Sequence, residues 1–168
     1  MLITLKDLKQ AEACQGAVLL FEALFGDSVE VTKELCLKHA HNFDYGFAGS
    51  HFLPASVRGM FYQQKNVAED AWQKAWTECS MDYAEAIKPA RKKYLVDGQV
   101  PRKRVNKYYA VTEKARRIKT KTCGEINMVL RLAMATAFGD AVEALKALEA
   151  TEALEATEAL EGVKRHEN

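Results

Sequence analysis

The sequence contains little proline and glycine, with three and nine residues respectively in a chain of 168. Because proline and glycine are common in the turns between strands, their scarcity favours long helices. No run approaches the roughly 18 consecutive apolar residues of a membrane-spanning helix. The N-terminal segment MLITLKDLKQAEACQ lacks the basic and apolar regions of a secretory signal. We therefore expect a helical, cytoplasmic protein that makes no use of a membrane.

Motifs for catalysis are also missing from the sequence. It has no Gly-rich phosphate loop, no GxSxG elbow and no HExxH pair. The four cysteines are far apart and form no CxxC pair, which is typical of reduced, partly buried thiols. We therefore expect a protein that is not an enzyme and that carries no cofactor.

Positive charge is abundant but confined to one segment. Residues 88–121 hold 13 of the 24 lysine and arginine residues and only two acids, Asp97 and Glu113. Their local charge is +11, whereas the rest of the chain carries −10. Like charges at this density repel one another, so the segment needs a polyanion, an acidic partner or acidic parts of its own chain nearby.

The apolar periodicity predicts an all-α fold in three parts. These are a short-helix head at 1–53, a helical core at 54–146 and an acidic tail at 147–168. In the head, helical spacing extends over residues 11–24, Thr32 is a predicted N-cap, and a third short helix is expected at residues 45–51.

A long helix is expected to start at Pro54, because proline suits the first turn. Four aromatic residues then recur every 11 residues, which is close to three helical turns. These residues are Phe61, Trp72, Tyr83 and Tyr94. We expect the rings to lie along one helix edge and to pack against another helix, with a homo-oligomer as one possible arrangement. Pro89 is predicted to kink or end the helix.

A turn at Asp97-Gly98 precedes a predicted basic amphipathic helix from Pro101 to Lys121. Five basic residues share roughly 80° of its circumference. They are Lys103, Lys107, Lys114, Arg117 and Lys121. Tyr108, Val111, Ala115 and Ile118 are assigned to an opposite, apolar face. Phosphates attract such a stripe, and Tyr108 and Tyr109 are candidates for stacking on bases. A protein partner, internal pairing or a merely solvated face are the alternatives.

Thr122 and Glu125 form a capping-box pattern, which predicts a new helix near Cys123, and Gly139 is a predicted interruption. The tail then repeats the hexad ALEATE. Six residues advance a helix by about 600°, so Leu148, Leu154 and Leu160 point in three directions and cannot form one buried stripe. We therefore expect a solvated acidic extension that could fold back on the basic segment.

Cys36, His39 and His51 are residues of metal-ligand type in the head, and with Asp44 and His41 they suggest a weaker alternative, a zinc site. Their spacing matches no standard zinc pattern, and a second cysteine pair is missing. We therefore favour hydrogen bonds between short helices for the two histidines and a core position for Cys36.

The head resembles a family of uncharacterised phage and prophage proteins. The similar stretches are ELCLKHA at 34–40, FDY at 43–45 and HFL at 51–53, which resemble a motif of the form ELCxxHAxxFDWxWAAxHLL. YAEAIKPA at 83–90 is similar to the 11-residue units YxxAxxPAxxx of that family. Gly46 and Gly49 depart from its pattern. The resemblance implies a phage or mobile-element accessory protein, a class whose members often bind host machinery, including defence complexes.

Together these features predict a non-enzymatic interaction protein. Its expected partner is nucleic acid or another polyanionic surface, bound by the basic stripe. The alternative is a protein–protein adaptor or an inhibitor of a host protein complex, for example a defence complex, which acts through helix faces.

Overall fold

The computed structural model describes the backbone of residues 1–166 and the side chains of residues 1–157. The predicted all-α fold is confirmed, with a two-stranded sheet as the one addition within this range. The elements in chain order are β1 (Leu2–Thr4), α1 (Leu5–Gln10), α2 (Gln15–Phe25), β2 (Ser28–Glu30), α3 (Lys33–Lys38), α4 (Tyr45–Phe52), α5 (Ala55–Tyr94) and α6 (Val105–His166). None of the helices described is long and apolar enough to cross a membrane.

The chain forms two compact units, and both long helices contribute to each. Unit 1 combines Met1–Asn66 with the chain from Arg131 onward, and unit 2 is Val67–Leu130. These bounds differ from the predicted boundaries at residues 53 and 146. The difference arises because Val57 and Phe61 of α5 and Phe138 of α6 belong to the core around the short helices.

Unit 1 begins with a capped helix beside the small sheet. Ile3 pairs with Val29 in the antiparallel register of β1 and β2. The Asp7 N–H donates to the Thr4 hydroxyl, and the Thr4 N–H donates to the Asp7 carboxylate at 2.8 Å, so α1 has a complete capping box. The predicted cap Thr32 is confirmed, since its hydroxyl accepts from the Leu35 N–H at 3.2 Å.

The core of unit 1 is built around two fully buried aromatic rings. Phe61 and Phe138 meet edge to face, with their centroids 6.3 Å apart. A Cβ at Gly49 would collide with the Phe61 ring, so glycine is what lets α5 approach α4 at this point. Leu53, which directly follows α4, is also fully buried.

Polar contacts connect α6 to the rest of unit 1. Lys33 Nζ lies 2.6 Å from the Asp140 carboxylate, and Lys146 Nζ donates to Glu30 at 2.8 Å. Gly139 does not interrupt the helix as predicted. A Cβ there would lie 2.9 Å from the Lys33 Cα, so this glycine allows α3 and α6 to pack closely.

Unit 2 is a helical hairpin formed by parts of α5 and α6. Its connection contains the predicted turn, in which Asp97 and Gly98 have φ angles of 50° and 79° and Val96 pairs with Gln99. All four predicted ladder rings contact α6: Phe61 meets Phe138 in unit 1, and the other three lie in unit 2. Trp72 donates to Asn127, Tyr83 lies under Lys119, and Tyr94 contacts Tyr108.

Two predicted helix boundaries are wrong because the contact between α5 and α6 overrides them. Pro89 does not end α5, which continues to Tyr94. Its neighbours Ile87 and Ala90 are buried, while the missing N–H affects only one carbonyl on the exposed side. No new helix starts near Cys123, because α6 is continuous and Cys123 is buried opposite Cys79.

The acidic tail is helical as far as the backbone is described, and the side chains of residues 151–157 are exposed. This agrees with the prediction that its leucines form no buried stripe. Within the described side chains, Glu149, Glu152 and Glu155 form no ion pair. Leu160 and the other side chains of residues 158–168 lie outside the described residues.

Candidate polyanion-binding surface

The five predicted basic residues are all exposed in unit 2. Four of them lie on α6 and form what we call the basic stripe: Lys107, Lys114, Arg117 and Lys121. Lys103 was predicted on the same helix but lies in a separate 3-10 turn, Arg102–Arg104, because α6 begins only at Val105. Its direction is therefore not set by the α-helical period of the stripe.

Ion pairing leaves this surface largely available. Arg117 donates to Glu113 at 2.7 Å, and Lys121 lies 3.8 Å from Glu125. Among the described side chains, Lys107 and Lys114 have no acidic partner. Exposed pairs along one helix contribute only about 0.3–0.5 kcal/mol, so a phosphate can compete with both glutamates.

A second group of basic side chains lies where the two helices of the hairpin meet. We call it the basic tip, and all its members are exposed: Arg91, Lys92, Lys93, Arg102, Lys103 and Arg104. The contact between the Tyr94 and Tyr108 rings, 6.4 Å between centroids, joins the end of α5, which carries three of these residues, to the start of α6, which follows the other three. Asp97 is the one acid in this stretch of sequence.

Sequence reasoning counted the basic tip in the charge of residues 88–121 but did not assign it to a site. Its members belong to the end of α5 and to the separate 3-10 turn before α6, so no single helical period groups them. The predicted turn at Asp97-Gly98 could have revealed this group, because such a turn brings the end of one helix beside the start of the next. Three cations at the C-terminus of α5 also complement its helix dipole.

The two candidate stacking tyrosines differ in their surroundings. Tyr109 is 51% exposed, and the Arg116 guanidinium lies 5.7 Å from its ring centroid. Tyr108 is half-buried and contacts the rings of both Tyr94 and Tyr109. Tyr109 is therefore the more accessible of the two rings for stacking on a base.

The predicted apolar face of α6 is wrong in part. Val111 and Ile118 are 58% and 57% exposed, whereas Thr112 and Cys123 are buried. The buried seam is set by the positions that face α5, and these recur every 11 residues, as in Thr112 and Cys123. Val111 and Ile118 instead lie between this seam and the basic stripe.

These two apolar side chains line a groove between α5 and α6 of about 410 Å³. Lys114 and Lys119 of α6 and Asp82 of α5 contribute its charged groups. We call it the interhelical groove. It places an apolar surface beside the basic stripe, so the same face can contact both the charged and the apolar parts of a partner.

The structure does not gather the three candidate metal ligands. Cys36 is buried, and burial raises the pKa of its thiol to about 11, which disfavours the thiolate that zinc requires. The His51 ring nitrogen contacts the Phe47 carbonyl within α4, and His39 packs its ring against Phe25, so neither makes the predicted hydrogen bond between helices. Among the described side chains, no three histidine, cysteine or acidic residues form a metal-binding group.

A cavity of about 330 Å³ in unit 1 was not predicted. We call it the head cavity. Its walls include the rings of Phe21, Phe25, Phe43, Phe47 and Phe52. All but Phe21 are partly exposed, and the exposed Glu12 and Asp44 also line it. These five phenylalanines come from α2, α4 and the loop before α4, so their spacing in the sequence showed no common period.

Comparisons with protein-family models, with curated proteins and with solved structures give no match.

Proposed function

We propose that the protein binds a polyanion, and specifically nucleic acid, through the basic tip and the basic stripe of unit 2. The observation that carries this proposal is the exposure of all six tip side chains, with a single acid in the sequence between Arg91 and Arg104. Phosphates are the common biological groups that match such a density of cations.

Nucleic acid is favoured over a simple anion because charged, aromatic and apolar groups lie side by side. Lysine and arginine neutralise backbone phosphates, while Tyr109 offers a ring face to an unstacked base. Neither contact requires a particular base sequence. The expected binding is therefore tolerant of sequence and strongly dependent on salt.

The test compares binding of mixed-sequence DNA and RNA at about 50 and 200 mM salt, measured by fluorescence anisotropy. The variant Lys92→Glu/Lys103→Glu/Lys107→Glu should weaken binding at least tenfold. Five phosphate contacts in wild type would give a slope of about −4.5 in log affinity against log salt for duplex DNA.

The matched control is Lys6→Glu/Lys9→Glu/Lys38→Glu, which makes the same change in net charge on exposed positions of unit 1. It should retain most of the affinity. Equal losses in both variants would show that only net charge matters, and no binding of wild type at 50 mM salt would refute the proposal.

A second candidate function is favoured by the head cavity. Interface anchors are commonly apolar side chains that fill a pocket, and an aromatic cavity of about 330 Å³ offers one. In this alternative the protein is an adaptor or inhibitor that holds a host protein by an apolar side chain. The phage or mobile-element context implied by the resemblance of residues 34–53 is consistent with such a target.

Filling the cavity tests this alternative. Ala48→Leu adds volume at a partly buried wall residue, whereas Ala23→Leu adds it at an exposed position of α2 as the control. Host proteins captured by wild type and by the control, but lost with Ala48→Leu, would support an adaptor. Identical capture by all three forms would remove the cavity from consideration.

A further inference from the structure

Two cysteines face each other across the hairpin of unit 2. Cys79 Sγ of α5 and Cys123 Sγ of α6 are 3.6 Å apart. Both residues are buried, with 8% and 9% of their surface exposed. Their 44-residue separation in the sequence gave no indication of the pair, which arises only because the turn at Asp97-Gly98 brings the helices together.

The pair can be reached from solvent on one side. Cys79 contributes to the wall of the interhelical groove, next to Lys119 and Thr122. Burial and the neighbouring thiol raise the pKa of Cys79, while the positive charge of Lys119 opposes this effect. The groove therefore gives a disulfide oxidant a route to one sulfur, and a cation lies beside the thiolate that must form.

We propose that Cys79 and Cys123 form a thiol–disulfide site, which closes to an intramolecular disulfide when a disulfide oxidant such as oxidised glutathione is present. This goes beyond the proposed function and does not depend on it. A disulfide needs its sulfurs about 2.05 Å apart, so they must approach by about 1.5 Å from the observed 3.6 Å.

The chemistry consists of two exchange steps. The Cys79 thiolate attacks one sulfur of oxidised glutathione, forms a mixed disulfide and releases one glutathione thiolate. The Cys123 thiolate then attacks the Cys79 sulfur and displaces the second glutathione. The protein loses two protons and two electrons, and the electrons reduce one glutathione disulfide to two thiols.

The bond would connect α5 to α6 and close a loop that contains the entire basic tip. Closing such a loop restricts the unfolded chain more than the folded one. We therefore expect oxidation to raise the melting temperature of unit 2 by several degrees. In the dithiol form the two helices are held by noncovalent contacts, such as the hydrogen bond from Trp72 to Asn127.

The test uses folded protein with Cys14→Ser, which removes the exposed thiol, and treats it with oxidised glutathione. The expected product is lighter by two hydrogen atoms, about 2 Da, and yields a Cys79–Cys123 peptide on digestion. Its melting temperature rises, and dithiothreitol reverses both changes. A product that retains glutathione on both cysteines, or no change in mass, would refute the proposal.

Two variants remove alternative explanations. Cys123→Ala should stop the reaction at a single glutathione on Cys79, with no loss of two hydrogens. Cys36→Ala should oxidise as the parent does, because Cys36 lies in unit 1. A disulfide that includes Cys36, or one that still forms without Cys123, would contradict the assignment.

Discussion

The two units of this chain bury different kinds of side chain. Unit 1 surrounds large side chains completely, as the fully buried Phe61 and Phe138 show. In unit 2 the most buried positions include small or polar residues such as Ala90 and Thr112, while Val111 and Ile118 remain exposed. A pair of helices can bury only one stripe of each, so most of the surface of a hairpin stays available to a partner.

This difference suggests that one unit mainly provides stability and the other mainly provides a surface for interaction. The candidate polyanion-binding surface lies on the unit with less buried apolar area, where the free energy of folding is expected to be smaller. Charged side chains dominate its outside, and they contribute little to stability when exposed. Unit 1 is therefore expected to be the more stable unit, and unit 2 the one whose surface serves interaction.

The largest effect is expected from Phe138→Ala, which should lower the free energy of unfolding of unit 1 by about 3–5 kcal/mol. Tyr83→Ala, at a half-buried ring of unit 2, should cost about 1–2 kcal/mol. Urea denaturation, followed by circular dichroism, measures the total free energy of unfolding of each variant. Hydrogen exchange of peptides from each unit shows where protection is lost.

Tryptophan emission supplies an independent readout, because Trp72 and Trp76 both lie in unit 2. It should change with Tyr83→Ala and much less with Phe138→Ala. Equal loss of protection in both units after Phe138→Ala would show that they unfold together, and the comparison would then fail.

A smaller effect is expected from alkaline pH on unit 1. Burial raises the pKa of the Cys36 thiol from 9.0 to about 11, so the folded state favours the protonated form. Because the folded pKa lies above the unfolded one, this contribution is complete below pH 9 and is lost as the pH rises through 11. The loss is about 2–3 kcal/mol, at roughly 1.4 kcal/mol per pKa unit.

Urea midpoints at several values between pH 8 and pH 11 measure this loss. In Cys36→Ala the urea midpoint should fall less steeply as the pH rises, whatever the effect of the substitution on stability at pH 8. In Cys14→Ala, at an exposed cysteine, the midpoint should fall as it does in wild type. A decrease that is just as steep without Cys36 would assign the alkaline sensitivity to other groups.

The smallest effect, and one of opposite sign, is expected from Pro89→Ala in unit 2. The substitution restores an N–H inside α5 and should raise stability by about 1–2 kcal/mol. This is less than the roughly 3 kcal/mol typical of an interior proline, because α5 ends five residues later at Tyr94. Thermal unfolding followed by tryptophan emission detects it. No gain would mean that the hairpin already accommodates the proline.

Local signals predicted much of the fold. Three predicted features depend only on neighbouring residues, and the structure has all of them. They are the start of α5 after Pro54, the cap at Thr32 and the turn at Asp97-Gly98. The β1–β2 pair was missed because three-residue strands are too short to show a period of two. Thr122 carries a capping pattern, yet the contact of Cys123 with α5 keeps α6 continuous.

The candidate surface was predicted only in part. The exposure of Lys107 and Lys114 could be predicted, because charged side chains on one helix edge seldom lie inside a protein. The buried seam of α6 could not, because Thr112 is less apolar than Val111 but faces the other helix. The basic tip and the head cavity each combine several elements, and one sequence shows no spacing that links them.

The facing pairs of unit 2 also constrain how such a chain can change by inheritance. On α5 these pairs involve Cys79, Tyr83 and Tyr94, and on α6 their respective partners are Cys123, Lys119 and Tyr108. The number of residues between successive pairs is the same on both helices, which run in opposite directions. An insertion in one helix would therefore misalign every pair on one side of it. Lengthening the hairpin requires two matched insertions, each of about 11 residues or three turns. These lie apart in the coding sequence, so a single duplication cannot supply both, and the length of this hairpin is expected to stay fixed in descendants of the gene.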